Sequence, residues 1–332
     1  MPAGFFASMN ATPTELFLGT CVGVDSALNL DPKAFEGLED SLKSLTITDC
    51  SSKRIPSAIR QLRRLESLTF SNDLSILEPS DLEGMTQLVN LSLALNGMTG
   101  LANGSLKHLK SLKKLTLGPG NTLKSSIFEE VNKLSTLEEL DLRGVRELKR
   151  LPKGAMDNLQ RLKRLNLARN NIVNLTTEAF DGLQSLEVLD LRVNLIERIE
   201  DGAFDNLTSL KHLLLAGNYI SSSTREQFRG LVDLELLDLG WNEFDSIGND
   251  TFAHLKSLQT LDLRRSEKLT IIEPGAFSGL HQLGTLNLSQ SNVKEIHSGF
   301  LGSLPALREL DLSNGKIRSV SSKPCRQASS TH

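Results

Sequence analysis

The chain has 332 residues, 39% of them apolar and only 5% aromatic, with three cysteines. Its 37 basic and 40 acidic residues leave a net charge of −3, too balanced to suggest a nucleic-acid or membrane-surface binder. No run of 18 apolar residues occurs, so no transmembrane helix is predicted.

The first forty residues are irregular, and residues 1–12 lack a basic segment followed by an apolar run, so no signal peptide is expected there. Leu16, Leu18 and Cys21 suit a strand, and Ala34, Phe35 and Leu38 a turn behind it. Residues 1–41 are therefore predicted to be a degenerate capping repeat with a poorly ordered start. From Leu42 onward the pattern LxxLxL restarts at Leu65, Leu88, Leu112, Leu137, Leu162, Leu186, Leu210, Leu234, Leu258, Leu283 and Leu307. Successive spacings are 23 to 25 residues. A fixed period in this range marks a leucine-rich-repeat solenoid, and residues 42–320 would hold twelve repeats. The predicted class is α/β: a curved horseshoe with a concave parallel sheet and an irregular or short-helical convex side.

The unit LEVLDLRVNLIERIEDGAFDNLTS, starting at Leu186, shows how each repeat works. Leu189 and Leu191 alternate inward on a short strand, leaving Val188, Asp190 and Arg192 outward. Asn194 turns inward to satisfy backbone groups where the chain leaves the strand. Equivalent asparagines are Asn96, Asn170, Asn218 and Asn242, and a convex phenylalanine recurs at Phe180, Phe204, Phe228, Phe252, Phe277 and Phe300. The units at Leu112, Leu137 and Leu258 are 25 residues long, with the extra residue just past the strand. After Val320 the repeat receives no convex half, and residues 321–332 are predicted to be a disordered tail. Either the chain is a fragment of something longer, or its uncapped C-terminal edge meets a partner or a second copy, giving a hetero- or homo-oligomer.

Cys21 and Cys50 both fall at the asparagine position of adjacent units. They are either two buried thiols or a disulfide, with Cys325 left over. Glycosylation acceptors N-x-[ST] occur at Asn10, Asn90, Asn103, Asn174, Asn206, Asn249 and Asn287. Of these, Asn103, Asn174, Asn206 and Asn249 are the expected sites, because Asn90 and Asn287 lie on strands of the concave face.

From Leu137 to Val320 the repeats read LxxLDLxxNxIxxIxxxAFxxLxxL, which resembles the typical 24-residue repeats of animal extracellular proteins such as Toll-like receptor ectodomains, chaoptin, Slit and variable lymphocyte receptors. That resemblance implies secreted or cell-surface ligand recognition, adhesion or innate immunity. The segment RIPSAIRQLRRL from Arg54 is instead similar to intracellular repeats, which keeps a cytoplasmic scaffold binding partner proteins as the alternative.

Outward strand positions give the ligand expectation: a protein or glycan held by Arg192, Leu214, Asp238, Trp241, Asp262 and Arg264. Trp241 is the only tryptophan, and Trp and Arg are enriched at binding hot spots. Ala216, Gly217 and Gly240 should leave space around it. The aspartates and arginines also fit a bland reading as a solvated ladder of weak ion pairs. The basic cluster Arg54, Arg60, Arg63 and Arg64 reads as solvated convex surface, whereas Lys107, Lys110, Lys113 and Lys114 suit an acidic partner. The six histidines show no metal-ligand spacing, and no phosphate loop, GxSxG or HExxH occurs. Neither catalysis, a cofactor nor a metal is expected.

Overall fold

The computed structural model describes residues 1–7, 9, 12–19, 28 and 30–321. The chain divides into two compact units, residues 1–171 with 181–183, and residues 172–180 with 184–332.

In the first unit seven parallel strands are stacked in chain order: Glu15–Gly19, Ser44–Thr48, Ser67–Ser71, Asn90–Ser92, Lys114–Thr116, Glu139–Asp141 and Arg164–Asn166. Register runs leucine to leucine, Leu45 to Leu68 to Leu91 to Leu115 to Leu140 to Leu165, so every repeat buries its side chain against the same side chain of the next. The irregular N-terminal segment does supply a strand, paired in register with Ser44–Thr48, and Ala34, Phe35 and Leu38 are buried behind it. Parallel neighbours require a crossover, and here it runs through turns, 3-10 segments at Ser57–Gln61 and Ser125–Ile127, and one short helix, Phe128–Val131.

The second unit repeats the plan, its main sheet built from Val188–Asp190, His212–Leu214, Leu236–Asp238, Thr260–Asp262, Thr285–Asn287 and Glu309–Asp311. Leu189, Leu213, Leu237, Leu261 and Leu286 form its buried row. On the crossover side Phe228, Phe252, Phe277 and Phe300 follow one another with ring centroids 5.6–6.2 Å apart, and all four are buried. The segment Arg225–Phe228 begins with a capping box, in which Thr224 N–H donates to Gln227 Oε1 at 3.1 Å.

The asparagine ladder ties consecutive repeats together. Asn242 Nδ2 donates to Leu239 O in its own repeat and to Leu215 O in the preceding one, both at 3.0 Å, while its Oδ1 accepts from Ile220 N–H at 3.1 Å. Asn218 repeats the geometry with Leu215, Leu191 and Ile196. Two members escape the sequence spacing. Asn121 is fully buried and makes the same three kinds of bond, to Leu117, Leu93 and Met98, although the inserted GPG displaces it by one residue. Asn72 accepts from Cys50 N–H at 2.8 Å. Where asparagine is missing, buried Ser266 donates to Leu263 O instead.

Candidate ligand-binding site

The residue that ends each strand of the second unit lies on the face opposite the leucine core. In register across the sheet these are Asp190, Leu214, Asp238, Asp262, Asn287 and Asp311. Wherever this residue is Asp or Asn, its Oδ1 accepts the N–H two residues on: Arg192, Gly240, Arg264, Ser289 and Ser313, at 2.9–3.1 Å. These short side-chain turns stop the strand and aim the chain into the loop. The aspartate column therefore has a structural reason to exist, independent of any ligand. Leu214 breaks it, since leucine offers no acceptor to Ala216.

The two arginines of the expected set are held by their own repeats. Arg192 forms a bidentate pair with Asp190, Nε to Oδ1 at 2.9 Å and Nη2 to Oδ2 at 2.6 Å. That hydrogen bond is the main cause holding the guanidinium above its ordinary pKa. Arg264 Nε lies 3.3 Å from Asp262 Oδ2. Asp238 differs. The residue two places on is Gly240, and no cation lies within ion-pair distance of the Asp238 carboxylate among the described residues. Burial is the leading cause that pushes its pKa up, with Asp262 adding to it; Gly240 N–H, Arg264 and Arg192 pull the other way.

Beside Asp238 the face is mainly apolar, with one imidazole. Leu214 is its neighbour on the preceding strand, Leu236 precedes it by two residues on its own strand, and Val188 and His212 share the Leu236 row. All four are half-buried. Val188, His212 and Leu236 were not among the expected residues, although alternation alone turns them outward from core Leu189, Leu213 and Leu237.

Trp241 sits elsewhere. The strand has already ended at Asp238, and Trp241 occupies the left-handed region at φ 57°, as do Val193 and Arg265 at the same place in their repeats and Gly217 between them. The indole is 51% exposed, with the Arg265 guanidinium carbon 4.1 Å from its centroid. It lines a depression of about 420 Å³ together with Gly217, Tyr219, Glu243, Arg265 and Lys268. Tyr219, the only tyrosine, is 47% exposed. The expected six residues thus separate into five on the sheet face and Trp241 on the loop edge of the repeats. Of the three small residues expected to make room, Gly217 lines the depression. Gly240 instead lies under the stem of Arg264, and a Cβ there would stand 3.1 Å from Arg264 Cγ.

Part of each of the other two charged clusters is paired. Lys113 and Lys163 both meet Glu138, at 3.0 and 3.4 Å, and Lys114 and Arg164 meet Glu139 at 2.8 and 3.9 Å. Lys113 and Lys114 are therefore not free to draw an acidic partner, because the next strand supplies their counter-ions. On the crossover side Arg54 pairs with Asp81 and Arg60 with Glu83. Asn103, Asn174, Asn206 and Asn249 are exposed. Asn249 Oδ1 accepts from Gly275 N–H at 2.8 Å, a bond that a glycan on Nδ2 would leave intact. Asn287 is half-buried and uses Oδ1 to hold both the N–H and the hydroxyl of Ser289. Cys50 is buried and disulfide-bonded, the second of the two readings of its role. Cys21, Cys325, Asn10 and the tail from residue 322 lie outside the described residues.

Among the described residues no group of His, Cys, Asp and Glu is placed to hold a metal, and no helix is long and apolar enough to cross a membrane. Family models for leucine-rich repeats match residues 135–196, 184–244 and 237–293, and a model of the BspA type of leucine-rich-repeat region matches residues 25–135. The chain belongs to the leucine-rich-repeat family. It is 33% identical over 187 residues to the mouse CD180 antigen, an alignment covering 55% of this chain and 28% of that protein. It is 32% identical over 196 residues to Toll-like receptor 7 of Drosophila melanogaster, covering 56% of this chain and 12% of that one. The chain thus spans less than a third of the length of these two relatives. A solved leucine-rich-repeat protein of Leptospira interrogans superposes with a TM-score of 0.68 at 26% identity, over 93% of this chain and 80% of that one.

Proposed function

We propose that this chain is a non-catalytic recognition module of a secreted or cell-surface receptor, and that it binds a protein partner on the sheet face of its second unit. The observation that carries this reading is the combination on one face of half-buried Val188, His212, Leu214 and Leu236 with charged Asp238, Arg192 and Arg264. An apolar centre with a charged rim is the anatomy of a protein interface. Trp241 and Tyr219 add a second, aromatic contact on the loop edge. The relatives support the class, since one is named a Toll-like receptor and the other the CD180 antigen. Exposed Asn103, Asn174, Asn206 and Asn249 and the disulfide at Cys50 suit passage through an oxidising secretory compartment.

Photo-crosslinking tests the surface. A benzophenone side chain placed at position 214 or 241 should give a covalent adduct in native tissue extract or on intact cells, and one at exposed Glu129 in the first unit should not. Equal adducts from all three positions would remove the assignment. Glycosidase treatment of the native protein should increase its electrophoretic mobility; unchanged mobility would favour the intracellular scaffold.

A further inference from the structure

The strand-end aspartates of the second unit make a natural comparison set. Asp190 and Asp262 each have an arginine two residues later that folds back on the carboxylate, at 2.6 and 3.3 Å. In the second of the two repeats between them the arginine is replaced by Gly240, and Arg264, whose stem covers that glycine, is committed to Asp262. Asp238 accepts the Gly240 N–H at 3.1 Å and otherwise faces outward without a counter-ion. The groups that face it are Asp262 on the next strand, which repels it, and the guanidinium groups of Arg264 and Arg192, which attract it from beyond contact distance. The adjoining strand end, where its neighbours carry Asp or Asn, is apolar Leu214. Leu236, at the start of the same strand as Asp238, occupies the row that holds Thr260 and Thr285 on the following strands.

Resting on the reading that this face is the binding surface, we propose that the partner presents a lysine or arginine beside an aliphatic side chain, the cation seated on Asp238 and the aliphatic group on Leu214 and Leu236. The complement follows from what the face lacks. A carboxylate already half removed from water gains more from a cation when a partner excludes the remaining water, because the effective dielectric falls. An acidic partner would be repelled by unpaired Asp238 and could gain Arg192 or Arg264 only in competition with Asp190 and Asp262. A purely apolar one would bury Asp238 without a counter-ion, which is strongly unfavourable. Burial also pushes the Asp238 carboxyl up in pKa, because its ionised form has lost part of its water without gaining a contacting cation.

The test uses the full chain and a displayed library of random peptides. Peptides selected on immobilised wild-type protein should be enriched in Lys or Arg next to Leu, Ile or Val. Three variants take residues that the same columns already carry, which keeps the fold: Asp238→Asn as at Asn287, Leu214→Asn as at Asn287, and Leu236→Thr as at Thr260. Selected peptides should bind Asp238→Asn about tenfold or more weakly, and the leucine variants should weaken them comparably. Asp238→Lys should select acidic peptides instead. Thermal unfolding of each variant confirms that it is folded. Peptides without a basic residue, bound equally by Asp238→Asn but lost in Leu236→Thr, overturn the charge proposal and leave the sheet-face reading standing. Peptides indifferent to all three variants and lost in Trp241→Gly, or no enrichment at all, overturn both.

Discussion

The open sheet faces of the two units are built on one template and finish their charges differently. In the first unit Lys113, Glu138 and Lys163 alternate across three successive repeats, and Lys114, Glu139 and Arg164 do the same one residue on. Glu138 and Glu139 each have cations from the repeats on either side, so these two rows are self-paired. In the second unit the pairs are made within a repeat, Asp190 with Arg192 and Asp262 with Arg264, and the intervening repeats offer Leu214, Leu236 and an unpaired Asp238. A solenoid needs its inward residues for stability and leaves its outward ones free to vary. A self-paired face resists a partner that would have to displace its ions, whereas an incomplete face invites one.

The units differ on their crossover sides too, and there the largest effects are expected. The second unit stacks four buried phenylalanines in succession, and Phe252 touches a ring on either side. Phe252→Ala should cost about 3–5 kcal/mol, because neither neighbour can collapse into the gap without leaving its own stack. In the first unit the corresponding place is filled by residues such as Met156, buried but unbranched. Met156→Ala should fall at the lower end, about 2 kcal/mol, because its surroundings relax more easily. Chemical denaturation of both variants measures the contrast; equal losses would mean that the aromatic stack adds nothing beyond volume.

A smaller difference should appear in the ladder. Removing Asn242 leaves Leu215 O, Leu239 O and Ile220 N–H without their partner in a buried site. Asn242→Ala should cost about 3 kcal/mol or more. Asn170 in the first unit donates to Leu142 O and Leu167 O, but its buried Oδ1 has no hydrogen-bond partner. Its removal forfeits fewer bonds and relieves an unsatisfied oxygen, so Asn170→Ala should cost roughly half as much. Denaturant midpoints for the two variants decide it, and a larger loss at Asn170 would contradict this account of the ladder.

How much of this was legible in the sequence follows from what sets each feature. Leucines at a fixed period set the strands, their parallel order and their register, and these appear where the spacing puts them. Ladder residues were legible only while the spacing held: Asn121 lies one residue late behind GPG, and only its buried bonds to two carbonyls reveal its role. Trp241 was placed by continuing strand alternation past Asp238, where the strand ends and the backbone turns left-handed. That turn moves the indole from the sheet face to the edge. The strand-end aspartates were legible as a column but not as acceptors for the N–H two residues on, since that bond depends on backbone geometry. Leu236 was legible as outward, since alternation sets it opposite core Leu237, but only the register puts it in one row with Val188 and His212 beside Asp238.

The smallest predicted effects separate the two faces by sign. The hydrogen bond from Lys113, followed by that from Lys163, lowers the Glu138 pKa, so its stabilisation is present above the ordinary glutamate value of about 4.3 and is lost as pH falls through the lowered one. Asp238 is the reverse. Its raised pKa means that ionisation costs more in the folded chain than in the unfolded one, a penalty absent below about pH 4 and complete once pH exceeds the folded value. Glu138→Gln should therefore lower the melting temperature at neutral pH, and Asp238→Asn, which keeps an acceptor for Gly240 N–H, should raise it, each by about 1 °C. Both differences should shrink toward zero in acid, and salt should weaken the first more than the second because Glu138 is the more exposed to solvent. Scanning calorimetry across pH reads both. If Asp238→Asn instead destabilised the chain at neutral pH, the carboxylate would already be satisfied by the chain itself, as Glu138 is by its two lysines.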